Sequence, residues 1–167
     1  MVPRRYSVGR RTAETRDTFT LELEPRDGNG PVTFRPGQFN MVYVFGVGEV
    51  ALSVSGDPAN VKTVTHTVRV AGTVTSAMHG LAKGAMVGLR GPFGCPWPIE
   101  QAIGRDVVVV AGGIGFVSLR PLLYEIASRR KDFGSVVLLY GTRSPEDVLF
   151  RRELQQWREL SNVNVLV

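Results

Sequence analysis

The stretch from Val107 to Gly115, VVVVAGGIG, constrains this chain more than any other. Consecutive β-branched residues predict a buried strand, and the glycines that follow predict a tight turn into the helix-forming sequence beyond. Downstream, Leu119 to Arg130 has helical spacing, Ser135 to Tyr140 reads as a second buried strand, Pro145 to Leu160 is amphipathic, and Val163 to Val167 opens a third strand. Strand, helix, strand, helix, strand requires a parallel sheet with right-handed crossovers. A turn of this type at the carboxyl end of such a strand lets a ligand approach the backbone closely. It also aims free N–H groups and the helix dipole at negative charge, the requirement of a pyrophosphate site. The dinucleotide pattern G-x-G-x-x-G is met in part, by Gly113 and Gly115, with Ser118 at the third small position.

The first hundred residues follow another rule. Thr18 to Glu24, Gln38 to Phe45, Val50 to Ser55, Thr65 to Val70 and Met86 to Arg90 alternate with a period of two, separated by DGNG at 27–30, RPG at 35–37, SGDP at 55–58 and KG at 83–84. One short helix is predicted here, Ser76 to Leu81 with Thr75 as N-cap. Many short strands with one helical turn predict a small closed barrel. The period changes between Pro98 and Gly104, giving a barrel over 1–99 and an α/β unit over 100–167, with no repeat or low-complexity linker between them.

Composition narrows the function classes. Hydrophobic residues make up 43% and charged residues 21% of the 167, and no apolar run reaches the length of a membrane span. The basic start, MVPRRYSVGRR, lacks the apolar core of a signal peptide, so the expected location is cytoplasmic. The single cysteine, Cys95, excludes an internal disulfide or a cysteine-ligated cluster made by this sequence alone, and it is expected to be partly buried near the domain seam. A net charge of +5 raises nucleic-acid binding, but the clusters at Arg4, Arg5, Arg10, Arg11, Arg129, Arg130, Lys131, Arg151 and Arg152 carry no interleaved aromatic platform.

Six short motifs occur in a fixed order: RPGQF (35–39), Ser53-x-Ser55, Gly72-Thr73-Val74-Thr75, Gly91-Pro92-Phe93-Gly94, Ala111 to Gly115, and Tyr140-Gly141-Thr142-Arg143. In that order they resemble the ferredoxin-NADP reductase superfamily over essentially the whole chain. Within it the sequence looks most like the gamma subunits of hydrogenase and sulfur reductase complexes and the B subunit of anaerobic sulfite reductase, with the electron-transfer subunit of dihydroorotate dehydrogenase a related match. The resemblance implies a two-domain fold, an antiparallel FAD-binding β-barrel followed by an α/β parallel-sheet NAD(P)-binding domain that stops in its third strand. The sequence then reads as a fragment of a longer protein, in preference to a chain completed by a partner.

The resemblance also implies cofactors and site residues. FAD would lie against Leu52, Ser53, Val54, Ser55, Arg69, Val70, Gly72, Thr73, Val74 and Thr75; NAD or NADP would lie against Gly112, Gly113, Ile114, Gly115, Gly141, Thr142 and Arg143. The family's flavin strand reads Arg-x-Tyr-Ser, and here Val50-Ala51-Leu52-Ser53 keeps only the serine, so Arg69 and His66 become candidates for the missing positive charge. The implied activity is NAD(P)H-dependent flavin oxidoreduction within a hetero-oligomer, passing electrons to an iron–sulfur or hydrogenase-type subunit. The cofactors carry that chemistry, so no side chain is nominated as catalytic and no metal site is expected. Trp97 and Phe93 are expected at the interdomain corner, and Phe116 and Leu119 against the sheet. Two other readings remain: an assembly subunit that has lost its cofactors, and a basic nucleic-acid-binding barrel.

Overall fold

A computed structural model describes residues 2–28, 30–160 and 162–167. In the first half, β1 (Arg4–Ala13), β2 (Thr18–Pro25), β3 (Phe39–Val44), β4 (Gly48–Ser53), β5 (Val64–Arg69) and β6 (Met86–Phe93) form one antiparallel sheet in the order β4-β3-β6-β1-β2-β5. Its two outer strands meet through an antiparallel bridge between Val54 and His66, and the Ser55 amide donates to the Thr65 carbonyl at 2.9 Å. The sheet therefore closes into the expected barrel. Alternation decides what lies inside: Phe19, Leu21 and Leu23 of β2 and Val42 and Val44 of β3 all point into the core.

Two sequence expectations change here. β1 is absent from the predicted strands because its inward residues, Tyr6 and Val8, are embedded in the arginine-rich RRYSVGRRTA. The short helix, α1 (Thr73–His79), begins earlier than predicted, with Gly72 as its N-cap. Thr75 sits inside the first turn.

The second half contains β7 (Val107–Gly112), α2 (Phe116–Ser128), β8 (Val136–Gly141), α3 (Arg151–Leu160) and β9 (Asn164–Leu166), with β7, β8 and β9 parallel and adjacent in that order. Val109, Ala111, Val136, Leu138, Tyr140 and Val165 face a core shared with Phe116, Leu123 and Ile126 of α2 and Leu154 and Trp157 of α3. Both helices thus cover one face. The other face carries Val108 at 63% and Val110 at 68% exposure, so the valine run alternates between buried and open positions instead of being buried throughout. The amphipathic segment 145–160 also starts its helix late: Phe150 has φ +52°, which breaks helical geometry just before Arg151. Among the described residues no helix is long and apolar enough to cross a membrane.

Candidate functional site

The carboxyl ends of β7 and β8 define the first half of the site. Gly112 to Gly115 turn from strand into α2 through a single 3-10 turn, with Gly113 at φ +47°, in the left-handed region that favours glycine. A methyl group placed on Gly112, Gly113 or Gly115 would meet nothing within 4 Å. The glycines therefore leave open space over their backbone, which is what a close-lying ligand requires. Beneath them, Phe116 is fully buried, its ring 4.5 Å from that of Tyr140. The Tyr140 hydroxyl donates to the Gly113 carbonyl at 3.3 Å and accepts from the Leu149 amide at 3.4 Å. The sequence places Tyr140 both at the end of a buried strand and at the head of the Tyr140 to Arg143 motif; a buried tyrosine hydroxyl needs a partner, and its partner is the turn. Gly141, Thr142 and Arg143 continue from the same strand end.

The barrel supplies the second half. Gly72 is extended and exposed, again with nothing within 4 Å of an added methyl. The Ala71 and Gly72 amides donate to Thr75 Oγ1 at 2.9 and 3.0 Å, and that hydroxyl donates to the Gly72 carbonyl at 3.0 Å. Thr75 therefore shapes the turn, while the Thr73 and Val74 amides, in the first helical turn, point beyond the helix. Leu52 and Val74 are half-buried against the barrel core, and Leu52 lies opposite Asn40 in the β3–β4 register. Ser53 falls on the other side of β4, beside Phe39. The Val70 amide donates to the Asp17 carbonyl at 2.8 Å, and Arg69 ends β5 exposed.

Three of the residues grouped by sequence are placed differently. Val54 is buried in the barrel core, and Ser55 is fully buried, its Oγ 2.9 Å from Thr67 Oγ1 and 3.3 Å from the Thr65 carbonyl, so neither side chain faces outward. His66 is fully buried too; its Nδ1 donates to the Ser53 carbonyl at 2.9 Å and its Nε2 accepts from the Asn40 amide at 3.2 Å. Burial pulls its pKa down to about 4, with the Ser53 carbonyl opposing, so His66 is neutral and cannot replace the missing arginine. Cys95, expected to be partly buried, is exposed.

The two halves meet at a small cavity of about 110 Å³ lined by Asp17, Arg69, Gly113, Ile114, Thr142 and Arg143. Five of the predicted residues come together there, two of them cationic. The Asp17 carboxyl is held below the usual range by the Thr18 hydroxyl, against burial, with help from the nearby Arg69. Trp97 does reach across the seam: its Nε1 donates to the Ser118 carbonyl at 3.2 Å and its backbone amide to the Pro36 carbonyl at 2.8 Å. Elsewhere several clustered arginines are committed to carboxylates, Arg4 to Asp27 and Arg129 to Glu100 and Asp132.

An antiparallel barrel whose fifth strand ends, at Arg69, on a cavity shared with the glycine turn of a parallel α/β unit is the two-domain ferredoxin-NADP reductase-like fold. The chain belongs to that family of oxidoreductases: residues 109–167 match the oxidoreductase NAD-binding domain. It is 33% identical over 81% of its length to 46% of the sulfhydrogenase 2 gamma subunit of Pyrococcus furiosus. It is 35% identical over 86% of its length to 51% of a probable dihydroorotate dehydrogenase B electron transfer subunit of Methanocella arvoryzae. The chain thus spans about half the length of these curated relatives. Among solved structures it shares the fold of the FAD/NAD-binding domain of nitric oxide dioxygenase from Vibrio cholerae, with a TM-score of 0.88 at 22% identity over all of this chain and 74% of that one.

Proposed function

We propose that this chain is the flavin- and nicotinamide-binding part of an NAD(P)H-dependent oxidoreductase, an electron-transfer subunit that works with an iron–sulfur or hydrogenase-type partner in a cytoplasmic hetero-oligomer. The observation that carries the proposal is the pair of open backbone cradles, at Gly72 and at Gly112 to Gly115, the second of which reaches through Gly113 into the cavity that Arg69 and Arg143 share. Such cradles suit two pyrophosphate-bearing ligands. The relatives' names, which are those of hydrogenase and dihydroorotate dehydrogenase subunits, support the hetero-oligomer.

In this reading 1–99 is the flavin domain and 100–167 the first part of the nucleotide domain. Thr73 and Val74 donate their amides to the FAD pyrophosphate, and Gly72 lets it come close. Arg69 supplies the positive charge that Val50 does not. Ser53 offers its hydroxyl at the flavin edge, and Leu52 and Val70 make aliphatic contact; Val54 and Ser55 contribute only through the backbone they hold. Gly112, Gly113, Ile114 and Gly115 receive the NAD(P) pyrophosphate on the amides that open α2, while Gly141, Thr142 and Arg143 border its adenosine half. Bound in these places, the two cofactors would supply hydride transfer between nicotinamide and flavin, then single electrons for the partner. The protein's work is to bind, orient and exclude water, and no acid or base is assigned.

The test is the visible absorption spectrum of the purified full-length protein, with the released cofactor identified after denaturation, followed by stopped-flow reduction with NADH and NADPH. Near-stoichiometric FAD and rapid bleaching by either nucleotide are expected. A folded, colourless protein that takes up no added FAD leaves the assembly-subunit reading in its place.

A further inference from the structure

Arg120 lies in the middle of α2 with only 8% of its surface exposed, on a helix whose other buried residues are almost all apolar. A guanidinium in such a position is costly unless every donor is used. Here Nε and Nη2 grip Glu153 of α3 at 2.7 and 2.5 Å, Nη2 also meets the Tyr124 hydroxyl at 3.1 Å, and the plane stacks 4.0 Å from the centre of the Phe150 ring. Burial lowers its pKa, but Glu153 more than offsets this, and the group is held firmly charged. All these partners belong to the α/β half. The remaining donor, Nη1, crosses the seam and reaches the Ser55 carbonyl of the barrel at 2.8 Å.

That single bond lands on a segment already fixed from within. The Ser55 amide and hydroxyl are held by Thr65 and Thr67, and two residues earlier His66 holds the Ser53 carbonyl. Arg120 is five residues past Gly115 on the same helix, roughly 7.5 Å along its axis at the usual rise per residue. One helix, α2, thus carries the glycine turn at its start and an anchor to the Ser53–Ser55 strand end a turn and a half later. Phe150 completes the arrangement with the positive φ that delays α3, a conformation that costs about 1 kcal/mol or more for a bulky residue. Stability alone does not call for this cluster, because an apolar replacement of a buried ion pair is often neutral.

We propose that Arg120 is a positioning residue: through Ser55 it sets the distance and angle between the glycine turn that receives the nicotinamide nucleotide and the strand end that receives the flavin. The inference rests on the flavoprotein reading above. A near-attack separation between two bound rings tolerates little error, and a displacement of about 1 Å costs about 10²-fold in rate. Removing the guanidinium should therefore slow hydride transfer without emptying either site.

The experiment uses full-length protein carrying Arg120→Met or Arg120→Lys. For Arg120→Met the expected result is normal FAD content, a dissociation constant for NADH within about threefold of wild type, and flavin reduction at saturating NADH slowed about 10- to 100-fold. Lysine, which can meet Ser55 or Glu153 but lacks the fork to hold both, should fall between. In cofactor-free protein, amide exchange of the peptide covering 53–56 should rise about tenfold in Arg120→Met. Should Arg120→Met fail to fold, Glu153→Gln, which keeps the guanidinium but weakens its fork, takes its place with a smaller slowing. Coloured variants that melt earlier yet reduce at the wild-type rate, or that leave exchange at 53–56 unchanged, overturn the proposal. A colourless wild-type protein overturns instead the flavin reading on which it rests.

Discussion

His66 donates through Nδ1 to the carbonyl of Ser53 at 2.9 Å, inside a barrel that leaves neither imidazole nitrogen in contact with water. This bond fixes the tautomer: Nδ1 carries the proton, and Nε2 accepts from Asn40. Because the folded protein resists protonating His66 until about pH 4, whereas the unfolded chain takes up that proton near 6.5, the unfolded state binds more protons between those values. Stability therefore rises with pH across that window, is complete above about 6.5, and loses on the order of 3 kcal/mol by about pH 4. Urea midpoints of wild type and His66→Gln, compared at several pH values between 4 and 7, should show a steeper fall for the wild type. Parallel curves would remove His66 from the account.

At Gly113 the left-handed backbone and the open space above it make separate demands. Gly113→Ala strains the backbone by about 1 kcal/mol and puts a methyl group where a ligand would lie. Thermal melting should drop by only a few degrees. Nucleotide affinity, titrated by flavin difference spectra, should weaken at least about tenfold, and retention of tight binding would move the nucleotide away from this turn.

Much of this arrangement is legible in the chain before it folds. The change of hydrophobic period near residue 100 separates the two sheets, and the glycine turn lands at the expected end of β7. Even the buried histidine had a signal, since Val64, His66 and Val68 alternate on one side of β5 and all three are buried. Arg120 had none. A charged residue in LRPLLYE reads as the solvent side of an amphipathic helix, and its burial depends on Glu153, 33 residues further on, and on a carbonyl 65 residues back. Local period cannot encode such distances. The late start of α3 was hidden for the same reason, because Phe150 leaves helical geometry to place its ring against Phe116 and Arg120.

Tyr140→Phe isolates the support beneath the turn. The ring and its stacking on Phe116 survive, while the buried Leu149 amide loses its acceptor and the Gly113 carbonyl loses its donor. A loss of about 1–2 kcal/mol in unfolding free energy is expected by chemical denaturation. The loosened turn should also weaken NADH binding by a few-fold. Unchanged stability would mean that water replaces the hydroxyl.

Thr75 offers a comparable experiment on the barrel side, with a built-in control. Its hydroxyl accepts from the Ala71 and Gly72 amides and donates to the Gly72 carbonyl, so it is fully occupied in shaping the turn that opens α1. Thr75→Val keeps the volume and removes all three bonds. Cofactor-free protein should lose about 1 kcal/mol, the usual worth of a helix-capping side chain. FAD affinity should fall as well, because the Gly72 amide and carbonyl are no longer fixed. Thr75→Ser restores the same bonds and should recover both stability and affinity. If valine instead abolished FAD binding with stability intact, the hydroxyl would have to touch the cofactor itself, and the capping role drawn from these three bonds would be wrong.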